Sequence, residues 1–340
     1  TSTHARVDRN AQVGQGGSHN ASLTVSATDT TVIKSGAGSV GIGVSGSGIG
    51  AGLDLGIVDK DTRAVIGQNA LVTTTGMTSV TAASSEDLLS VSANAGIGGS
   101  GVGVAASASV EVLTTHTRAY IDSGAQVTQT GGVNIDAGDT MDLVMVAGSI
   151  GFGSSVGAGA AVTTLVHNDT VEAYIGSGAQ VTTTAGAKNI TVNAHSTETE
   201  VGIGAAGAGS SGSFAFAGAG VINVLDETTR AFVDRSATVN AGGNLTVHAD
   251  DQTKFVSVAG NLAVSSGSAA GAGAAVAVVN KHTDAYIESG VSSTVGGNID
   301  VKASSKETVT VIGAGISASG NVAVTVDAAV DVLNIDTRAF

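Results

Sequence analysis

Hydrophobic and small or polar positions alternate along most of this chain. Val102, Val104, Ala106, Ala108, Val110 and Val112 share one face at a period of two, the period of a β-strand. No stretch keeps a convincing period of 3.6, and glycine at this density costs a helix up to ~1 kcal/mol per residue relative to alanine. The pattern predicts an all-β chain of short strands.

The alternation itself recurs. Aligning on the alanine of Arg118-Ala-Tyr-Ile121 gives Ala5, Ala64, Ala119, Ala173, Ala231, Ala285 and Ala339, with successive spacings of 59, 55, 54, 58, 54 and 54 residues. A fixed period of this size marks a repeat architecture. Each interval opens with a Gly-Ala or Asn-Ala turn and a short strand such as Ala125-Gln-Val-Thr128. A second turn leads to a strand such as Val133-Asn-Ile-Asp-Ala137, then to a polar, mostly acidic corner such as Asp139-Thr-Met-Asp142 or Glu198-Thr-Glu200. A long run of glycine and small apolar residues follows.

Five or six short strands per interval fit a parallel β-helix (β-solenoid) with two coils per repeat, of about 24 and 31 residues, stacked into a rod on the order of 60 Å long. Three coils of about 18 residues per repeat also fit. Residues 1–340 then form a single continuous β-solenoid of six intervals whose interior stacks valine on valine and alanine on alanine. The unpaired edges of such a rod must be continued or capped. No capping helix is legible, so an internal piece of a longer chain, or a filament-forming subunit, is expected.

Composition sharpens this picture. With 50 glycines, no Pro, Cys or Trp, and only six Phe and three Tyr, the interior must be thin. A hydrophobic share of 42% against 12% charged residues is the opposite of a disordered composition. The net charge of −14 argues against nucleic acid, whose affinity rests on Lys and Arg, and against anionic lipid. Without cysteine there is neither a disulfide framework nor a thiolate metal site. Thr1-Ser-Thr-His-Ala-Arg6 lacks the pattern of a signal peptide.

Candidate chemistry is sparse. The seven histidines are scattered, with no His-Glu-x-x-His motif for zinc; His116 and His282 occupy matching repeat positions and are expected at the surface. No metal site is assigned beyond one weak calcium candidate, the cluster Asp136, Asp139 and Asp142, for which a solvated acidic edge is the better reading. The acids recur by register, so no repeat departs from the pattern to form a catalytic cluster. No catalytic residue, cofactor-binding residue or cofactor is therefore expected. Gly-x-Gly strings such as Gly101-Val-Gly103 lack the βαβ context of a phosphate loop, and Thr73-Thr-Thr75 and Thr182-Thr-Thr184 belong to a broken array rather than a flat ice-binding face. Val201 to Leu225 is uncharged, but its glycines and its place in a repeat argue against a membrane helix. A membrane barrel would need aromatic girdles that nine aromatics cannot supply.

Ala173-Tyr-Ile-Gly-Ser-Gly-Ala-Gln-Val181, Asn189-Ile-Thr-Val-Asn-Ala194 and Gly157-Ala-Gly-Ala-Ala-Val162 resemble the repeats of very large bacterial exoproteins, the filamentous-haemagglutinin-like and leukotoxin-type filamentous adhesins. The resemblance implies a right-handed parallel β-helix, export, and a secreted or cell-surface fibre. The expectation is therefore a non-catalytic structural and adhesive segment, extracellular or on the outer surface of a bacterium. Its expected partners are neighbouring repeats or further copies stacked end to end, and cell-surface or matrix molecules, without nucleic acid or membrane insertion. The alternatives are a self-assembling filament or sheath subunit and a β-helical carbohydrate-active enzyme, which a non-repeating cluster of acids would favour.

Overall fold

A computed structural model of the chain describes residues 1–14, 21–184, 186 and 188–340. Among the described residues every element is a β-strand, and every pairing is parallel. The first long sheet takes β1 (Ser2–Val7), β4 (Gly48–Ile66), β7 (Val102–Ile121), β10 (Val156–Ile175), β13 (Phe214–Val233), β16 (Ser268–Ile287) and β19 (Val322–Ala339) in that spatial order. A short sheet takes β2 (Gln12–Val13), β5 (Leu71–Thr74), β8 (Gln126–Gln129), β11 (Gln180–Thr183), β14 (Thr238–Ala241) and β17 (Ser292–Val295). The second long sheet takes β3 (Leu23–Gly43), β6 (Thr78–Gly98), β9 (Val133–Gly153), β12 (Ile190–Ser210), β15 (Leu245–Ser265) and β18 (Ile299–Ser319). Each coil visits the three sheets in turn, which is a parallel β-solenoid.

The coil is twice as large as the sequence suggests. Ala5 lies opposite Ala64, Ala64 opposite Ala119, and so on through Ala173, Ala231, Ala285 and Ala339. One repeat is therefore one coil, not two. Six spacings across the seven-stranded sheet, at ~4.8 Å each, make a blade about 29 Å thick along the coil axis rather than a rod of 60 Å. Strands of 20 residues such as β7 make it on the order of 65 Å wide. The difference arises at the acidic segments, which do not turn. β9 runs straight through Asp139 and Asp142, with the first pointing in and the second out, because inward acids find partners inside.

The blade is a wedge. At its broad end the short sheet holds the two long sheets apart around a core of small and β-branched side chains, including Ala64, Ile66, Val72, Val80 and Ala82. The chain enters the short sheet through a left-handed residue five places after each anchor alanine: Asn10 (φ 59°), Asn69 (55°), Gly124 (69°), Gly178 (67°), Ser236 (59°) and Gly290 (80°). Glycine tolerates that conformation and asparagine often does, so the turn chemistry is repeated coil by coil. At the thin end the long sheets converge until backbone meets backbone. A Cβ on Gly96 would stand 1.9 Å from the carbonyl oxygen of Val104, and one on Gly151 equally close to that of Ala158.

Convergence turns the apolar face outward. The period-two face from Val102 to Val112 lies on the outside of β7, while Gly103, Ala105, Ser107, Ser109 and Glu111 point in. Towards the glycine edge the sheets leave little room between them, so glycine, alanine and small polar residues fill most inward positions, although Val221 points in at the position of Ser109. Ile42, Ile150, Phe152 and Phe216 are exposed near the glycine edge. Elsewhere the exterior is organised by ladders. Tyr120, Tyr174, Phe232, Tyr286 and Phe340 stack nearly parallel, with centroid spacings of 4.6 to 5.2 Å. Beside them Arg230 reaches Glu172 at 2.5 Å and Arg338 reaches Asp284 at 3.1 Å.

Candidate functional site

Between the broad hydrophobic core and the thin edge runs a buried column of ionisable side chains. Two inward positions of the second long sheet build one wall: Asp29, Ser84, Asp139, Ser196, Asp251 and Ser305, and two residues further Thr31, Glu86, Met141, Glu198, Thr253 and Glu307. Facing them on the first long sheet are Lys60, Thr115, Asp169, Glu227 and Lys281. Each is placed by strand parity and by its register with the coil above.

The column carries lysine at its two ends only. Lys60 Nζ lies 2.7 Å from Asp29 and 2.5 Å from Glu86. Lys281 Nζ lies 2.7 Å from Asp251, 3.3 Å from Glu227 and 3.4 Å from Glu307, and donates to Thr253 at 2.6 Å. Burial opposes charge on both ammonium groups, but the carboxylates around them hold their pKa values above the ordinary one. In the middle the acids crowd one another. Burial, and then the neighbouring Asp139, pushes Glu86 up to about 7. Burial and then Asp169 push Asp139 up to about 7. Thr115 donates to Asp169, and Ser196 donates to it at 3.3 Å.

One coil interrupts the pattern. Beside the column, inward positions carry a cluster of large apolar side chains: Val58, Leu113, Leu225 and Val279 on one sheet, and Leu88, Leu143 and Phe255 on the other. In register with Leu113 and Leu225 stands His167, and in register with Leu143 and Phe255 stands Glu200. The expectation that no repeat departs from the pattern is therefore incorrect. His167 Nδ1 lies 3.3 Å from Glu200 and 3.9 Å from Glu198, and all three side chains are at most 2% exposed. One ligand atom from each lies within 4.8 Å of the others, so the three could hold a metal ion. Burial alone would lower the imidazole pKa, but Glu200, with Asp169 and Glu227 beyond it, carries it up to about 9. Burial drives Glu198 well above the usual carboxylate range, with Glu227 adding to it. Burial also raises Glu200, against the pull of His167.

The calcium candidate is divided. Asp139 is inside the wedge, whereas Asp136 and Asp142 lie on the outer face of β9, so the three carboxylates do not converge on one ion. Asp136 instead faces His195 at 3.8 Å. His116 and His282 share one outward column, as their repeat position implies. Sequence reasoning missed His167 and Glu200 because each looks ordinary along the chain. The signal becomes visible only across the repeats, once one interval is taken as one coil and a leucine column is seen to contain a histidine.

Comparison with protein-family models, curated proteins and solved structures gives no match.

Proposed function

We propose that this chain is a structural segment of a secreted bacterial surface fibre, a stiff spacer that positions adhesive contacts and carries out no catalysis. The observation that carries this reading is the invariance of the coil-to-coil contact. Anchor alanine meets anchor alanine through all seven copies, so each coil offers the next the same surface. The aromatic and Arg–acid ladders add the same contact on the outside. The burial of the charged column supports a non-catalytic role, since a side chain 1–2% exposed such as His167 or Glu198 is out of reach of any substrate larger than an ion. Adhesive contacts fall to the exposed Thr, Ser and Asp faces.

A second reading has its own support. β1 and β19 are each paired on one side only, and such edges can template another copy. A self-assembling filament subunit would use them.

Two copies joined head to tail, with the repeat spacing kept across the junction, separate these possibilities by electron microscopy. The spacer reading predicts one unbroken blade, about twice as thick along the coil axis as a single copy. Two lobes moving independently about the junction would overturn it. Single copies that grow into long uniform fibres as concentration rises would establish the filament subunit instead.

A further inference from the structure

We infer that His167, Glu198 and Glu200 bind one divalent transition ion of the zinc and manganese class inside the wedge. Four observations converge. The first is the break in the repeat: a histidine stands between two leucines and a glutamate between a leucine and a phenylalanine, at facing positions in adjacent apolar columns. Burying a charged group there costs stability unless something compensates it.

The second is geometry. Separations of 3.3 and 3.9 Å between His167 Nδ1 and the two carboxylates approach the roughly 3.3 Å between donors in a tetrahedral site with bonds of about 2.0–2.1 Å. One imidazole and two carboxylates suit zinc or manganese better than calcium, which takes about six to eight oxygens.

The third is what the ligand atoms lack. Neither ring nitrogen of His167 has a hydrogen-bond partner among the described residues, nor does either oxygen of Glu200 or Oε2 of Glu198. A buried ion pair is expected to satisfy such atoms. Here five of them belong to three side chains, each of which has one ligand atom within 4.8 Å of the others.

The fourth is charge. Asp169 and Glu227 flank the cluster; of the four carboxyl groups gathered there, only Glu227 meets one of the column's two ammonium groups, that of Lys281. A dication bound to Glu198 and Glu200 places positive charge where, among the described residues, no ammonium group reaches them. Asp169 is itself held by Thr115 and Ser196. With its three ligand side chains at most 2% exposed, the ion is structural and enters as the coils close.

The test is to unfold the 340-residue chain in chelator and refold portions with Zn²⁺, Mn²⁺, Ca²⁺ or EDTA. Free ion is then removed, and retained metal and Tm are measured. We expect one Zn²⁺ or Mn²⁺ retained per chain and a Tm higher than in EDTA by several degrees, with no effect of Ca²⁺. The paired substitution His167→Leu, Glu200→Leu restores the residues of neighbouring coils. It is expected to keep the β circular-dichroism spectrum, retain no ion, and show no metal-dependent Tm. Wild-type chain that retains neither ion, with equal Tm in metal and EDTA, would overturn the inference, as would undiminished retention by the paired variant. If that variant does not fold, Glu200→Gln decides: at least a tenfold loss of zinc affinity supports the site, and unchanged affinity refutes it.

Discussion

At the scale of single residues, the interior is unusual in what it buries. Glu86 faces Lys60 and Asp139, with Asp29 on the other side of the same ammonium group. Its carboxyl titrates near 7 instead of the ordinary 4.5, so the folded chain holds this proton more tightly than the unfolded chain does. The stabilisation from that proton is complete below about 4.5 and is lost as pH rises through about 7, on the order of 3 kcal/mol for this group. Urea unfolding in EDTA at pH 5 and pH 8 should therefore show Glu86→Gln gaining on wild type by a few kcal/mol as pH rises. A constant difference between the two would contradict the burial assigned to Glu86.

The acids themselves were plain in the sequence; their side of the sheet was not. Runs such as Asp139-Thr-Met-Asp142 and Glu198-Thr-Glu200 look like a solvated corner because charged residues usually end strands. In this fold each run continues a strand, so Asp139, Glu198 and Glu200 point in while Asp142 points out. Charge alone does not determine that parity. It follows from neighbouring inward residues such as Ala137 and Ala194, which sit at even spacings from the buried acids.

At the scale of elements, the long strands are organised by how far apart the two sheets stand. Where they touch, glycine is required by space rather than by dihedral angle. Gly96→Ala must push the carbonyl of Val104 away from 1.9 Å and is expected to cost about 1–3 kcal/mol or more. Gly46, in the turn of the same edge, has nothing within 4 Å of its would-be Cβ, so Gly46→Ala should change stability by no more than about 0.5 kcal/mol. Equal effects of the two in chemical denaturation would mean that the sheets do not converge. The strand period was readable from Val102 to Val112. That this face is the outer one could not be read, since alternation names two faces without saying which is inside, and the thinness of the glycine half reverses the usual choice.

At the scale of the whole molecule, the repeat was legible and the size of the coil was not. Intervals of 54 to 59 residues divide into two coils of ordinary length as readily as they form one wide coil. The choice depends on whether the strand breaks at the acidic segments, and those segments continue because the interior receives them. One coil per repeat is also what brings His167 and Glu200 into the leucine columns and places Lys60 and Lys281 at opposite ends of the charged column. The account of the interior rests on it.

The absence of native cysteine allows a direct test. Thr128 and Thr182 are paired on adjacent strands of the short sheet, and Thr182 is paired in turn with Asn240. Neighbouring strands bring Cα atoms to ~4.8 Å, within the reach of a disulfide, whereas positions two strands apart are separated by roughly 10 Å and cannot be bridged. Oxidation followed by mass spectrometry should find an intramolecular disulfide in the Thr128→Cys, Thr182→Cys chain and free thiols in the Thr128→Cys, Asn240→Cys chain. If positions 128 and 182 fail to cross-link in a folded chain, a further coil lies between them, and the one-coil repeat and the buried column built on it are both wrong.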